Sequence, residues 1–152
     1  MSEEDPWFTA LSVVLERYDS FNKLGALWGE GGERAFRGWL VSGFLEEALG
    51  WPWRNVVLGE SFDVLTLDWR DHPVVYVETK TPDSPVRTEH RGEALGRISR
   101  WGSLHHVFLS NGRHWERFAV SSGELEALYR FEDGPDPCQE FFGPLDARRY
   151  LG

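Results

Sequence analysis

The sequence predicts an α/β protein in which a mixed β-sheet is flanked by helices. Apolar residues recur at helical spacing in two early stretches, and five later stretches have the patterns of strands. A polar helical stretch separates the third strand from the fourth. The resulting order, written αβββαββ from the second helix onwards, is typical of layered α/β folds.

The first two predicted helices are separated by a glycine-rich stretch. Residues 6–27 carry apolar side chains three or four positions apart, which predicts a helix with one apolar face. Residues 33–49 repeat this pattern, and Gly50 follows where a glycine commonly ends a helix. The glycines of 25–32 do not form a phosphate-binding P-loop, because no Gly-Lys-Ser/Thr follows them.

The later elements follow from turn signals between apolar stretches. Asn111-Gly112 is the strongest short hairpin signal of the chain. The predicted strands are residues 56–60, 62–69, 73–80, 104–110 and 113–120. The predicted later helical segments are residues 87–101, 123–129 and a final turn at 145–151.

Length and composition predict one globular domain over residues 1–152. The chain of 152 residues is 41% hydrophobic, which is enough for a core without covalent staples. The core is expected at about 30–120, with an N-terminal helix at 6–27 and a C-terminal extension at 121–152. Cys138 is the single cysteine, which excludes an internal disulfide framework and a cysteine-rich metal site.

The net charge of −9 argues against a general nucleic-acid coat protein, which needs a basic surface. It is compatible with a nuclease, because acidic residues gather at metal sites while local arginines hold phosphates. The chain has no apolar run of membrane-spanning length, and its acidic start lacks the features of a signal peptide. We therefore expect a cytoplasmic protein with no membrane partner.

Charged residues occur inside two apolar strands, where they are costly unless they are paired or bind a metal. Glu78 and Lys80 end the third strand-like run from Val74, and Asp63 lies in the run before it. Residues two apart in a strand share a face, so Glu78 and Lys80 project to the same side. Opposed carboxylates repel, and oxygen-rich sites with few protein ligands suit Mg²⁺ or Mn²⁺. These three residues are the candidate active site.

The turn between these two strands leaves three registers open. A two-residue loop places Asp63 opposite Glu78, and a four-residue loop places it opposite Lys80. Either register groups the three charged side chains on one face. A three-residue loop would place Asp63 opposite Thr79 and would require a bulge.

Lys80 is unusual for this composition. The chain has 16 Lys and Arg residues, and Lys23 is the only other lysine. A compact ammonium can orient a water or a phosphate oxygen, whereas a planar guanidinium behaves differently. The alternative interpretation is a structural ion pair at the end of the strand.

Asp63 followed by Glu78-Thr79-Lys80, in this order of elements, resembles the PD-(D/E)xK nuclease superfamily. More narrowly, residues 30–120 are similar to the N-terminal nuclease domain of type I restriction enzyme R subunits and related stand-alone proteins. Each motif is weak alone, and their order and spacing make the set specific. The similar stretches are Gly32-Glu33-Arg34-Ala35-Phe36-Arg37, Leu45-Glu46-Glu47-Ala48-Leu49-Gly50-Trp51, Phe62-Asp63-Val64-Leu65, Val77-Glu78-Thr79-Lys80-Thr81-Pro82 and Leu109-Ser110-Asn111-Gly112-Arg113-His114-Trp115.

The resemblance implies a restriction-endonuclease-like core and Mg²⁺-dependent (or Mn²⁺-dependent) hydrolysis of DNA phosphodiesters. Asp63 and Glu78 would hold the metal, with the backbone carbonyl of Thr79 as a third ligand. Lys80 would orient the attacking water or help to deprotonate it. DNA is the implied partner, and a homodimer or a partner subunit is left open.

Glu33 matches a family position that completes the catalytic site or holds a second metal. Its alternative interpretation is an ion pair with Arg37, four residues later, on a solvated helix face.

The helix after Lys80 departs from the family, which often carries Gln-x-x-x-Tyr there. The matching positions are Arg97 and Trp101. Arg97 would bind a phosphate or stabilise the leaving group, or else the site is impaired. The arginines of this helix would form either a phosphate-binding surface or a solvated, salt-bridged face; the nucleic-acid-binding candidates are Arg91, Arg97 and Arg100.

Two other functional classes stay open. One is a catalytically inactive descendant of the same fold that binds nucleic acid or a protein partner. The other, an acidic DNA mimic, is disfavoured because Asp63 and Glu78 lie in apolar strands.

His105 and His106 are adjacent in a strand and point to opposite faces, so they do not suit one metal. Six tryptophans are predicted to be core residues: Trp39, Trp51, Trp53, Trp69, Trp101 and Trp115.

Overall fold

The computed structural model describes residues 5–23 and 32–152, and it places one β-sheet between two layers of helices. The helices are α1 (Pro6–Lys23), α2 (Gly32–Leu40), α3 (Thr88–Gly96) and α4 (Cys138–Phe142). The strands are β1 (Val56–Leu58), β2 (Val64–Leu67), β3 (Pro73–Thr79), β4 (His106–Ser110), β5 (His114–Ala119) and β6 (Leu125–Arg130).

The six strands lie in sequence order across the sheet, from β1 at one edge to β6 at the other. β3 and β4 are parallel, and α3 forms the crossover between them. All other neighbouring strands are antiparallel. The predicted α/β fold with a mixed sheet is therefore confirmed.

Alternation along β3 distributes the core between the two faces of the sheet. Val75 and Val77 belong to the larger apolar cluster, which contains Phe36 and other buried residues of α1, α2 and α4. Tyr76 points the other way and belongs to a smaller cluster that includes Ala94 of α3. β3 can be almost entirely buried because helices cover both of its faces.

The second predicted helix is confirmed, with a change of winding in its middle. α2 continues from Val41 to Glu46 as a π-helical turn. The Leu49 N–H donates to the Phe44 carbonyl at 2.9 Å, five residues earlier, as π-type bonding requires. Gly50 then has a φ of 82°, as expected of a glycine that ends a helix. Of the predicted first helix, α1 extends to Lys23; residues 24–27 and most of the glycine-rich stretch lie outside the described residues.

The turn between β2 and β3 has the three-residue loop of one predicted alternative and the strand register of another. The Asp68 N–H donates to the His72 carbonyl at 2.9 Å, so three residues form the loop. Asp71 in this loop has a φ of 62°, a left-handed conformation that Asp tolerates. A register shift between Thr66 and Leu67 offsets the extra loop residue. The resulting register is the one that the two-residue loop would give.

The hairpin between β4 and β5 is confirmed, although its loop is shifted by one residue. The Asn111 N–H donates to the His114 carbonyl at 3.2 Å, so the two loop residues are Gly112 and Arg113. Gly112 has a φ of 90°, and a Cβ atom there would lie 2.7 Å from the ring of Phe36. Asn111 instead accepts the N–H groups of Arg113 and His114 with its side-chain oxygen.

Two helix predictions are corrected. Residues 123–129 were predicted as helical, but residues 125–130 form β6, which pairs with β5. Leu, Glu and Ala favour helices, and here sheet pairing overrides that preference. The predicted helix 87–101 ends at Gly96, because Gly92 and Gly96 make this stretch a poor helix former. The short helix α4 was not predicted at all.

The prediction that all six tryptophans are core residues is wrong for two of them. Trp51 and Trp115 are fully buried, and Trp39 and Trp101 pack against the two apolar clusters. Trp53 and Trp69 are 79% and 65% exposed.

Among the described helices, none has both the length and the apolar character needed to cross a membrane.

Candidate active site

The register of β2 against β3 brings the predicted carboxylates together. Val64 is paired with Val77, so Asp63, just before β2, lies beside Glu78 near the end of β3. Lys80 follows β3 directly and is fixed by a hydrogen bond of 2.7 Å from its N–H to the Ser110 carbonyl of β4. The three residues therefore meet where β2 begins and β3 ends.

Asp63 has a partner at each carboxylate oxygen, an ion pair at one and hydrogen bonds at the other. Its Oδ1 lies 2.9 Å from Nη2 of Arg37, and its Oδ2 accepts the Thr79 N–H at 2.8 Å. The Thr79 hydroxyl lies 3.3 Å from the same Oδ2. Charge-assisted bonds of this kind fix the orientation of a carboxylate.

Glu78 is only 4% exposed. Its Oε1 accepts the Tyr76 hydroxyl at 2.8 Å, and its Oε2 lies 3.7 Å from Nζ of Lys80. Burial raises the pKa of Glu78 to about 7, and the adjacent Asp63 carboxyl adds to the rise. Tyr76 and Lys80 favour the ionised form and limit this increase. The site thus has a buried carboxyl that is protonated for part of the time near neutral pH.

Lys80 lies between two acidic side chains. Its Nζ is 3.2 Å from Oε2 of Glu93 on α3 and 3.7 Å from Glu78. Burial disfavours the ammonium, but Glu78, Glu93 and Glu33 outweigh burial and raise the pKa of Lys80. Lys80 is therefore charged at neutral pH and acts as a hydrogen-bond donor.

Glu33 makes the predicted pair with Arg37, at 3.3 Å, but of the two only Glu33 lies on a solvated face. The Arg37 side chain is only 18% exposed, whereas that of Glu33 is 42% exposed. Arg37 also donates from Nε to the Thr79 hydroxyl at 3.1 Å. The pair therefore adjoins Asp63, and Arg37 connects α2 to the end of the sheet.

The three arginines predicted to bind nucleic acid have different environments. Arg91 donates two hydrogen bonds of 2.6 Å to the buried Glu116, so this side chain already has a partner. Arg97 lies just beyond α3, with its guanidinium 6.0 Å from the Tyr76 ring centroid. Its buried Nε has no hydrogen-bond partner among the residues that the structure describes. Arg100 is exposed and stacks on Phe62 and Trp101. Because α3 ends at Gly96, Arg97 and Arg100 lie beyond it and do not share a helical face with Arg91.

Glu33, Asp63 and Glu78 do not converge as a three-carboxylate cluster. Over residues 5–23 and 32–152, no three His, Cys, Asp or Glu side chains are grouped so as to hold a metal. Of the predicted metal-binding carboxylates, Asp63 and Glu78 are the two that lie beside each other. His105 and His106 do not share a site: one ring faces Tyr150, and Nδ1 of the other lies 3.3 Å from Glu126.

Three residues of this site were not predicted to take part in it. Tyr76 is two residues before Glu78, so strand periodicity alone places it on the same face. Arg37 is four residues after Glu33, and the sequence gives their pairing but not its approach to Asp63. Glu93 contacts Lys80 only because α3 packs over β3, which no local sequence pattern indicates.

Comparison with known proteins adds no relative: no protein-family model, curated protein or solved structure matches this chain. Assignment of a function therefore depends on the side chains of this site.

Proposed function

We propose that this chain is a metal-dependent nuclease with a restriction-endonuclease-like core, which hydrolyses phosphodiester bonds of DNA. The observation that carries the proposal is the meeting of Asp63, Glu78 and Lys80 at one end of β2 and β3. A buried Glu78 beside a second carboxylate is costly for the fold, and such groups are concentrated at functional sites.

The oxygens of this pair fit a hard divalent cation. Burial and the nearby Asp63 raise the pKa of Glu78, so a cation between the two carboxylates would relieve their repulsion. Asp63 and Glu78 would hold Mg²⁺ or Mn²⁺, with the Thr79 carbonyl as the predicted backbone ligand. When bound, the ion would polarise the scissile phosphate and neutralise charge that develops on it.

Hydrolysis forms a bond between a water oxygen and phosphorus, breaks the bond from phosphorus to the leaving sugar oxygen, and delivers a proton to that oxygen. Lys80 is held between Glu78 and Glu93 and keeps its charge. We therefore assign Lys80 to orienting the attacking water or a phosphate oxygen, and not to removing a proton. Glu93 would position the ammonium.

Contacts to DNA would come from basic groups that retain free donors. Arg100 is exposed beside Phe62, next to Asp63, and so is the best placed of the predicted arginines. Arg91 is the least suited, because the buried Glu116 binds it through two hydrogen bonds. Arg97 would act near Glu78 through its remaining guanidinium donors.

A second candidate function is a non-cleaving module of the same fold that binds nucleic acid or a protein partner. The observation that favours it is that protein cations already contact the site carboxylates, since Arg37 binds Asp63 and Lys80 lies near Glu78. Metal binding distinguishes the two candidates.

The test is calorimetric titration with Mn²⁺ together with a plasmid-nicking assay, on the wild type and on Glu78→Gln. We expect the wild type to bind Mn²⁺ and to nick DNA only with metal, and Glu78→Gln to lose both properties. Glu89→Gln, which removes an exposed carboxylate of α3, is the matched control and is expected to behave as wild type.

A wild type that neither binds Mn²⁺ nor nicks DNA would contradict the nuclease proposal and favour the non-cleaving module. Binding that survives in Glu78→Gln would place the metal elsewhere.

A further inference from the structure

One guanidinium nitrogen lies between two carboxylates at this site. Nη2 of Arg37 is 2.9 Å from Oδ1 of Asp63 and 3.3 Å from Oε1 of Glu33. Glu33 matches the family position that completes the catalytic site or holds a second metal. In this chain a protein cation bridges the two carboxylates instead.

The remaining contacts of Arg37 hold its side chain in place. Nε donates to the Thr79 hydroxyl at 3.1 Å, and that hydroxyl lies 3.3 Å from Oδ2 of Asp63. The guanidinium is therefore bound to an acidic residue on each side and to the backbone-anchored Thr79. A guanidinium is a planar cation with five N–H donors, so Arg37 can contact several acceptors at once and bring positive charge between the two carboxylates.

We propose that Arg37 takes the place of a second metal ion in this site. The inference rests on the proposed function, because it assumes that Asp63 and Glu78 hold one divalent cation. Arg37 supplies the second positive charge from within the chain, and Glu33 positions Arg37 without binding metal. The site would thus work with a single ion.

The positions of the carboxylate oxygens support separate places for the metal ion and for Arg37. Oδ1 of Asp63 contacts Arg37 of α2, whereas the Glu78 carboxyl lies against Asp63 from the side of Tyr76 and Lys80. A cation shared by Asp63 and Glu78 therefore does not need the position of Arg37. A cation shared by Asp63 and Glu33 does need it, since Nη2 contacts both carboxylates.

The experiment is to count bound Mn²⁺ ions by calorimetry and by electron paramagnetic resonance of free Mn²⁺. We expect a single ion per chain in the wild type and two ions in Arg37→Met, which keeps an apolar side chain but frees both carboxylates. Glu33→Gln is expected to change the wild-type affinity by less than about 3-fold, because Glu33 is a positioning residue here. In the Arg37→Met background, Glu33→Gln is expected to remove the second ion.

Two further variants separate charge from folding effects. Arg34→Met removes an exposed arginine from the same helix and should leave the single ion unchanged. Arg37→Lys retains the positive charge and should also keep a single ion, so it tests the inference even if Arg37→Met folds poorly.

Several outcomes would overturn the inference. Two ions in the wild type, a large loss of affinity in Glu33→Gln alone, or a single ion in a folded Arg37→Met would each do so while leaving the nuclease proposal intact. Absence of bound Mn²⁺ in the wild type and in Arg37→Met would remove both the inference and the proposed function.

Discussion

The Tyr76 hydroxyl donates a hydrogen bond to Oε1 of Glu78 at 2.8 Å. The hydroxyl oxygen of Tyr76 also accepts a hydrogen bond of 2.9 Å from the backbone N–H of Asp63. Tyr76 is fully buried, so a single fixed oxygen links the two carboxylate-bearing segments from the inside of the sheet. The spacing of the two acidic residues therefore depends on a side chain that need not contact a substrate.

Replacing Tyr76 with Phe tests this link. The change removes both hydrogen bonds and leaves the Asp63 N–H unpaired, so we expect a loss of about 1–3 kcal/mol in the free energy of unfolding. The pKa of Glu78 should rise further, because the Tyr76 hydroxyl favours the ionised carboxylate. Urea denaturation and the side-chain carboxyl NMR signal of Glu78 measure the two effects.

Tyr18→Phe is the matched control, because the Tyr18 hydroxyl also bonds a carboxylate, that of Asp83, outside this site. It should leave the pKa of Glu78 unchanged. A Tyr76→Phe protein with the wild-type pKa at Glu78 would show that the link has no electrostatic role.

The stability of the metal-free protein should depend on pH through Glu78. Burial and Asp63 raise its pKa from 4.5 to about 7 on folding, so the folded state binds the proton more tightly than the unfolded state. The resulting stabilisation is full below the unfolded pKa and is lost as pH rises through the folded one. A tenfold difference in proton affinity between the folded and unfolded states corresponds to about 1.4 kcal/mol in the free energy of unfolding.

Urea denaturation at a series of pH values between about 4.5 and 8 measures this loss. Glu78→Gln keeps the shape of the side chain and removes its titration, so the variant should have a flatter profile over this range. Identical profiles for the two proteins would rule out Glu78 as the titrating group.

Lys80→Ala should abolish metal-dependent DNA nicking with little effect on the fold, because the Lys80 ammonium contacts acidic side chains and is not part of an apolar cluster. Rates should fall by about 100-fold or more if the ammonium orients the attacking water. Lys23→Ala, at the only other lysine, is the control. Wild-type turnover in Lys80→Ala would exclude Lys80 from the chemistry.

Gly112→Ala should destabilise the protein by more than about 1 kcal/mol, because alanine is strained at its φ of 90°. The added Cβ would also meet the Phe36 ring at 2.7 Å. Gly123→Ala separates these causes, since Gly123 has a φ of 71° but no atom near the added Cβ. Thermal unfolding of both variants should show the larger loss for Gly112; equal losses would assign the effect to strain alone.

Local patterns predicted the parts of the fold that depend on short stretches of chain. The apolar stripes gave α1 and α2, and the run from Val74 gave β3, because burial on one or both faces imposes a period on the sequence. β6 was missed because its residues favour a helix, and only pairing with β5 makes them a strand. The end of α3 was placed too late, since two glycines weaken the helix without interrupting its polar pattern.

The residues of the candidate site also fall into two groups: those that local patterns indicate and those that only tertiary packing brings together. Asp63, Glu78 and Lys80 were identified because charges inside apolar strands are visible in the sequence. Arg37 and Glu93 reach the site through packing of helices that are distant in the chain, so spacing alone could not predict their contacts. The partner of Arg91 was equally hidden, because Glu116 lies on β5, 25 residues later.

β6 lies at the edge of the sheet and exposes Leu125 and Leu128. An open edge with apolar side chains is a template on which another chain can add a strand. Glu126 and Arg130 interrupt the apolar residues of this strand, and the net charge of −9 makes copies of the chain repel one another. Salt screens this repulsion, so self-association through β6 is expected to increase at high ionic strength.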